Sequence, residues 1–283
     1  MAKPEIHPSS VVDPGASIAE DVSIGPLCYV GGKVSIGPGT RLVSHVSVLG
    51  HTALGRDNTV WPQTTLGANP QDLKFHGEES NLVIGDNNEI RESVTIHPGT
   101  ANGGGITRLG NNNMIMVGAH VAHDCIIGNH VLVTNIVQLA GHIVIGDHVV
   151  IGGATAVHSY VSIGQFAFVG GMTRVTKDVP PFMTVEGNPA AVRGVNSIGL
   201  ERNKIGSDQI SRLKEAWRRL YRGGNGDGGV GNMADNLTTL VEEHGDDEFI
   251  KILATSIQQS MIGLHGRYRE SQRHDDRHRN PAR

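Results

Sequence analysis

The segment HVAHDC, residues 120–125, sets His120 and His123 three residues apart and Asp124 directly after His123. Histidine is the side chain whose ordinary pKa lies near neutrality, so it is the natural general base. A neighbouring carboxylate holds the imidazole in one tautomer and raises its basicity. Two further histidines, His142 and His158, follow at distances that matter only if the chain returns on itself with a fixed period.

The chain has such a period. Every sixth residue from Leu109 to Val175 is Ile, Leu or Val, and an earlier run does the same from Ile6 to Leu66. Ile84, Ile90 and Ile96 resume the pattern after a gap. Period six is neither helical nor a simple strand alternation, and it marks a parallel β-helix in which each hexad forms one flat side of a coil. Three hexads make a triangular coil of 18 residues, and coils stack at about 4.8 Å. The inward aliphatics form a column with little room for rings, which fits an aromatic content of only 4 %. Gly often follows the aliphatic, as at Gly25, Gly37, Gly55, Gly128 and Gly146. The expectation is that it supplies the backbone angles of a corner.

An 18-residue coil is a ruler, because residues 18 apart lie one above another. It places His123 under Gly141, Asp124 under His142, and His120 under Gln138. One coil further up come His158, Ser159 and Tyr160. The inward positions are Val121, Leu139 and Val157, so the histidines gather outside the column along one edge. A base, an orienting carboxylate and a glycine N–H able to steady an oxyanion are the parts of an acyl-transfer site without a protein nucleophile. A zinc site is the rival reading. The β-helical carbonic anhydrases use a local His pair spaced five apart, whereas His120 and His123 are three apart, so no metal is expected. A non-catalytic scaffold would need a flat, regular face of repeated Thr, which the mixed faces here do not offer.

Composition excludes other classes. The formal charge is −4 with a pI near 6.4, which leaves no nucleic-acid footprint. No run of apolar residues is long enough to span a membrane. MAKPEIHPSS lacks the apolar core of a signal peptide, and Cys28 and Cys125 fall at inward positions as buried reduced thiols. These features suit the cytoplasm.

The prism is expected over residues 1–187, with excursions at 67–82 and 97–108 that keep and shift the phase respectively. Such insertions tend to serve binding. An α-helical domain is expected over 188–264. It has a helix beginning at Ser207 as N-cap, a Gly-rich link at 223–232, and two more helices near 233–243 and 246–263. The last stretch, 265–283, reads as a polar disordered tail.

HVAHDC, NPQDLKF (69–75), IRESVTIHPGT (90–100), LAGH (139–142), AVH (156–158) and DVPPF…GNPA…GVN (178–196) together resemble the bacterial acyl-[acyl-carrier-protein]–UDP-N-acetylglucosamine O-acyltransferases, a family of hexapeptide-repeat acyltransferases. The resemblance covers residues 5–262. It implies a left-handed β-helix, a homotrimer with its cleft between subunits, and no cofactor. It also implies transfer of an (R)-3-hydroxyacyl group from acyl carrier protein to the 3-hydroxyl of UDP-N-acetylglucosamine, the first step of lipid A synthesis. On this resemblance His123 is the general base and the Gly141 N–H is the oxyanion donor. Asp72 and Lys74 position the sugar nucleotide, and His120, His142 and His158 support the cleft. Asn196 and Arg202 hold the nucleotide end, and Gly171 gauges acyl length beside Phe168 and Met172. Arg212, Arg218, Arg219 and Arg222 are candidates to meet the acidic carrier protein. Ser159, Ile198 and Asn203 depart from the family pattern, where Gln, an acidic residue and a second Arg are usual. The N-acyltransferase acting later in the same pathway is the alternative. It carries an extra domain before the prism, and here the hexads begin at Ile6.

Overall fold

The computed structural model describes residues 3–222 and 233–262; the expected link at 223–232 and the tail at 265–283 lie outside the described residues. Most strands are two residues long and belong to three parallel sheets of 11, 9 and 8 strands, each chain turn adding one strand to every sheet. The coil is a left-handed parallel β-helix. Along the sequence the sheets alternate, so each coil has a first corner after its first-sheet strand, a second corner after its second-sheet strand, and a third corner that returns to the first sheet.

Partners across the sheets sit 18 residues apart, as Glu5 with Ser23 and Gln138 with Ala156. Two coils are longer. Val60 pairs with Ile90 and Ile90 with Ile115, so the register survives both excursions. Their cores are 67–80 and 97–105, and both leave the prism at the second corner, between the second and third sheets. The inward aliphatics form one continuous buried column from Val22 to Val185 that includes Cys28 and Cys125.

The corner chemistry corrects one expectation. Left-handed backbone falls not on the residue after the aliphatic but two further on, at non-glycine residues such as Asp57, Gln63, His130 and Phe166. The glycines do something else. At the third corner Gly37, Gly55, Gly85, Gly110, Gly128, Gly146 and Gly164 stand in file. A Cβ on Gly110 would meet the Gly128 carbonyl oxygen at 2.5 Å, and one on Gly37 would meet that of Gly55 at 2.5 Å. Only hydrogen lets adjacent coils close to ladder distance there. The same corner is laced outside and inside. Side chains of Asp86, Asn111, Asn129 and Asp147 each accept from the backbone N–H one coil below, at 2.7–2.9 Å. Asn58, Asn88 and Asn113, from buried positions, accept instead from the backbone N–H one coil above.

Strand pairing does not stop at 187. Met183–Glu186 continues the first sheet, and Ala191–Val195 folds back antiparallel onto it, covering the sheet edge that an open solenoid would expose. Among the described residues four helices follow: α1 Ser197–Arg202, α2 Ser207–Tyr221, α3 Met233–His244 and α4 Glu248–Met261. The short α1 was not legible as a helix. The N-cap of α2 is Gly206 rather than Ser207, which is the first helical residue. The helices bury a second apolar cluster, joined to the prism by Phe182 and Met183. Among the described residues no helix is long and apolar enough to cross a membrane.

The two kinds of glycine separate in a stability measurement. Gly110→Ala is expected to cost about 1–3 kcal/mol from overpacking. Gly31→Ala, whose Cβ would lie 3.6 Å from its nearest neighbour, is expected to leave the urea midpoint nearly unchanged.

Candidate active site

The second corner brings the sequence-predicted base, carboxylate and glycine together. His123 Nδ1 lies 2.8 Å from Asp124 Oδ2, which leaves Nε2 facing outward. Asp72, at the tip of the first excursion, approaches that face, its Oδ2 being 3.9 Å from Nε2. That distance is too long for a hydrogen bond. The side chain of Asp124 is 1 % exposed and that of His123 is 13 % exposed, so a buried carboxylate holds a partly open imidazole. The ring of His142 meets that of His123 edge-on with centroids 5.1 Å apart, and it stacks on Tyr160 at 4.3 Å.

Gly141 lies directly above His123. A Cβ there would fall 2.6 Å from His123 Cε1 and 2.8 Å from Nε2, so any side chain would push the imidazole aside. Ladder bonds serve the residues on either side: Ala140 N–H donates to Val157 and His142 N–H to His123. The Gly141 N–H has no hydrogen-bond partner among the described residues. It is a donor beside the base with its bonding capacity unfilled, which is what a developing oxyanion requires.

Asp124 is held from the second excursion. Both its oxygens accept from Thr100, from the N–H at 2.8 Å and from the hydroxyl at 2.7 Å, and its own N–H donates to Thr107 Oγ1 at 2.8 Å. The excursions brace each other: Glu78 accepts from Ala101 N–H, and Asn81 exchanges backbone bonds with Gly99 and Gly105. Sequence reasoning missed Thr100, because the insertion shifts its distance from Asp124 to 24 residues, and Thr107, which follows the insertion on a third-sheet strand at 17 residues rather than 18. It also missed His97, which is 4 % exposed and packs edge-on against His120 at 4.9 Å. His97 begins the second excursion, at the same kind of position that His158 takes two coils above His123. His120 in turn shares a 2.7 Å hydrogen bond with Thr95. Burial pushes the His97 pKa down to about 4, with smaller contributions from His120 and His123. Burial, then His123, also pushes His120 down.

Other predicted residues lie apart. Lys74 follows Asp72 in the first excursion, its N–H bonded to Asp72 Oδ1 at 3.1 Å. His158 stands over Ala140 on the same edge, with its Nδ1 3.2 Å from the Ser159 carbonyl. Gly171 lies at the first corner, exposed beside Met172. Asn196 caps α1, accepting from Gly199 N–H and donating to the Phe166 carbonyl at the third corner. Arg202 ends α1. Within one chain, therefore, Gly171, Asn196 and Arg202 are not brought to His123. Of the arginines expected to meet a carrier protein, Arg212 pairs with Asp247 at 2.6 Å, Arg219 with Glu243, and Arg222 lies over the Trp217 ring.

A family model described as UDP N-acetylglucosamine O-acyltransferase, domain 2, matches residues 178–265. Over 219 residues the chain is 51 % identical to the acyl-[acyl-carrier-protein]–UDP-N-acetylglucosamine O-acyltransferase of Saccharophagus degradans, covering 77 % of this chain and 85 % of that protein. The chain belongs to the UDP-N-acetylglucosamine O-acyltransferase family. Solved structures agree. The family member from Moraxella catarrhalis superposes with a TM-score of 0.85 at 41 % identity, covering 90 % of this chain and 97 % of that one. The member from Acinetobacter baumannii also gives 0.85, at 38 % identity with the same coverage. The chain is accordingly an O-acyltransferase, and its histidine edge belongs to an acyl-transfer enzyme.

One cluster revives the metal reading: donor atoms of His123, Asp124 and His142 all lie within 4.8 Å of one another. The chemistry of the donor set opposes it, since the Asp124 oxygens already accept two bonds from Thr100 and one from His123. Dialysis against EDTA is therefore expected to leave the acyl-transfer rate unchanged, and a loss restored by Zn²⁺ would reverse the assignment.

The neutral histidines make a second expectation. Unfolded, the His97 imidazole titrates near 6.5; folded, near 4. Between those values the unfolded chain binds the extra proton, so acidification favours unfolding. Urea unfolding is expected to show stability lost as pH falls from 6.5 towards 4, with a smaller loss in His97→Asn.

Proposed function

We propose that the enzyme moves an (R)-3-hydroxyacyl group from acyl carrier protein to the 3-hydroxyl of UDP-N-acetylglucosamine, the first step of lipid A synthesis, in the cytoplasm and as a homotrimer. Family membership supports the substrates. The observation that carries the mechanism is the unfilled Gly141 N–H against the His123 ring.

His123 Nε2 takes the proton of the sugar hydroxyl while Asp124 holds Nδ1. The hydroxyl oxygen then forms a bond to the thioester carbonyl carbon, and the carbonyl oxygen takes up charge that the Gly141 N–H stabilises. The carbon–sulfur bond breaks, and His123 returns its proton to the departing thiolate. Burial keeps His97 and His120, near the base, in their neutral forms. Asp72 and Lys74 orient the sugar nucleotide from the first excursion, and His120, His142 and His158 line its approach. Asn196 and Arg202 hold the nucleotide end, and Gly171 limits the acyl chain. Gly171 stands on the first corner of the prism and Asn196 and Arg202 bound α1, which Asn196 ties to the third corner, whereas His123 stands on the second. A site that contains all of them therefore needs neighbouring subunits, which is what supports the trimer.

Purified His123→Ala, assayed with hydroxyacyl carrier protein and the sugar nucleotide, is expected to lose at least about a hundredfold in kcat. A rate near wild type would remove His123 as base. Offering UDP-N-acetylglucosamine and an amino-sugar nucleotide in one assay is expected to yield only the ester. An amide product would favour the N-acyltransferase alternative.

A further inference from the structure

We propose that Thr100 is a positioning residue for the reaction, acting through Asp124, and that the second excursion exists to deliver it; this rests on the His123 mechanism above. Thr100 starts a single 3₁₀ turn, Ala101–Gly103, from the N-cap position, yet its side chain makes no cap bond. A Thr there ordinarily turns its hydroxyl back to its own turn. Here the hydroxyl donates to Asp124 Oδ2 and the Thr100 N–H to Asp124 Oδ1. The two bonds fix both oxygens and hence the plane of the carboxylate.

Oδ2 is also the atom that holds His123 Nδ1. Thr100 Oγ1 and the imidazole thus meet at one oxygen, and the direction of the first bond sets that of the second. Packing around this contact leaves no alternative. Thr100 is 2 % exposed, and a Cβ on Gly103 would lie 2.0 Å from the Asp124 carboxylate carbon, so the turn closes over the carboxylate with no room for a side chain. The Thr100 carbonyl accepts from both Gly103 and Gly105 N–H, which locks the turn in place. A charge-assisted hydrogen bond in a buried site is strong, and it is the kind of partner that fixes a catalytic histidine's orientation and tautomer.

The test compares Thr100→Val, which keeps shape and the N–H but lacks the hydroxyl, with Thr100→Ser, which keeps the hydroxyl. Expected for Thr100→Val is a fall in kcat of about tenfold or more with KM for the sugar nucleotide little changed, and full or nearly full rescue in Thr100→Ser. Nitrogen-15 NMR of the resting protein supplies a readout that activity does not. His123 is expected as a single Nδ1-protonated tautomer in wild type and Thr100→Ser, and as a mixture in Thr100→Val. An unchanged tautomer in Thr100→Val overturns the proposal, as does equal loss of activity in both variants, which would mark a purely structural role. The NMR arm does not depend on the substrate. A tautomer shift in a protein whose His123→Ala variant is fully active would therefore sink the mechanism while leaving the clamp in place.

Discussion

The registered stacking of parallel coils is the constraint on which the molecule depends. Each two-residue strand contributes only a few ladder bonds, so no single coil can stand alone, and stability accrues by nearest-neighbour pairing along the column. Ladder bonds require the backbones to close to strand spacing at every corner as well as along every side. The third corner meets that demand with a file of glycines flanked by two amide ladders, one exposed and one buried. A buried asparagine that serves the coil above and the coil below is costly to lose, since its removal orphans backbone donors in the core. This corner is the spine of the prism.

The second corner is free to vary because the third is not. Twelve extra residues enter there in one coil and seven in the next, judged by the pairing of Val60 with Ile90 and of Ile90 with Ile115. The register resumes unchanged above them. The excursions fold up the same edge and tie to each other through Glu78, Asn81 and Gly105. One brings Asp72 to the outer face of His123, and the other brings Thr100 to the back of Asp124. Rigid stacking thus supplies the base and the glycine donor, while inserted chain supplies the groups that surround them.

The charge arrangement follows from the same burial. Two histidines beside the base, His97 and His120, are packed where a positive charge is poorly solvated, and each is held to its neutral form. The carboxylate beside the base is the reverse case, a buried charge with donors on both oxygens. His123 therefore has two neutral rings near it and a carboxylate at its back.

Much of this was legible from the chain alone. A strict six-residue period implies three-sided coils, though their left hand came only from the family resemblance, and an 18-residue coil fixes which residues are neighbours one level up, so His123, Asp124, Gly141 and His142 could be assembled by counting. Cys28 and Cys125 could be placed inside by the same count. What counting could not reach was anything whose sequence distance the insertions had altered. Thr100 and Asp72 meet the dyad only because the excursions fold back on the prism, and His97 escaped notice because it opens one of them. The role of the corner glycines was also invisible, since torsional freedom and close approach demand the same residue, and only coordinates show which one operates. The hairpin after 187 and the cap formed by Asn196 were decided by the need to close an open sheet edge and to seat α1. The sequence thus determined the repeat, and through it the vertical file of the catalytic groups. Tertiary structure decided the shell around them, because contacts made by irregular chain follow from packing rather than from period.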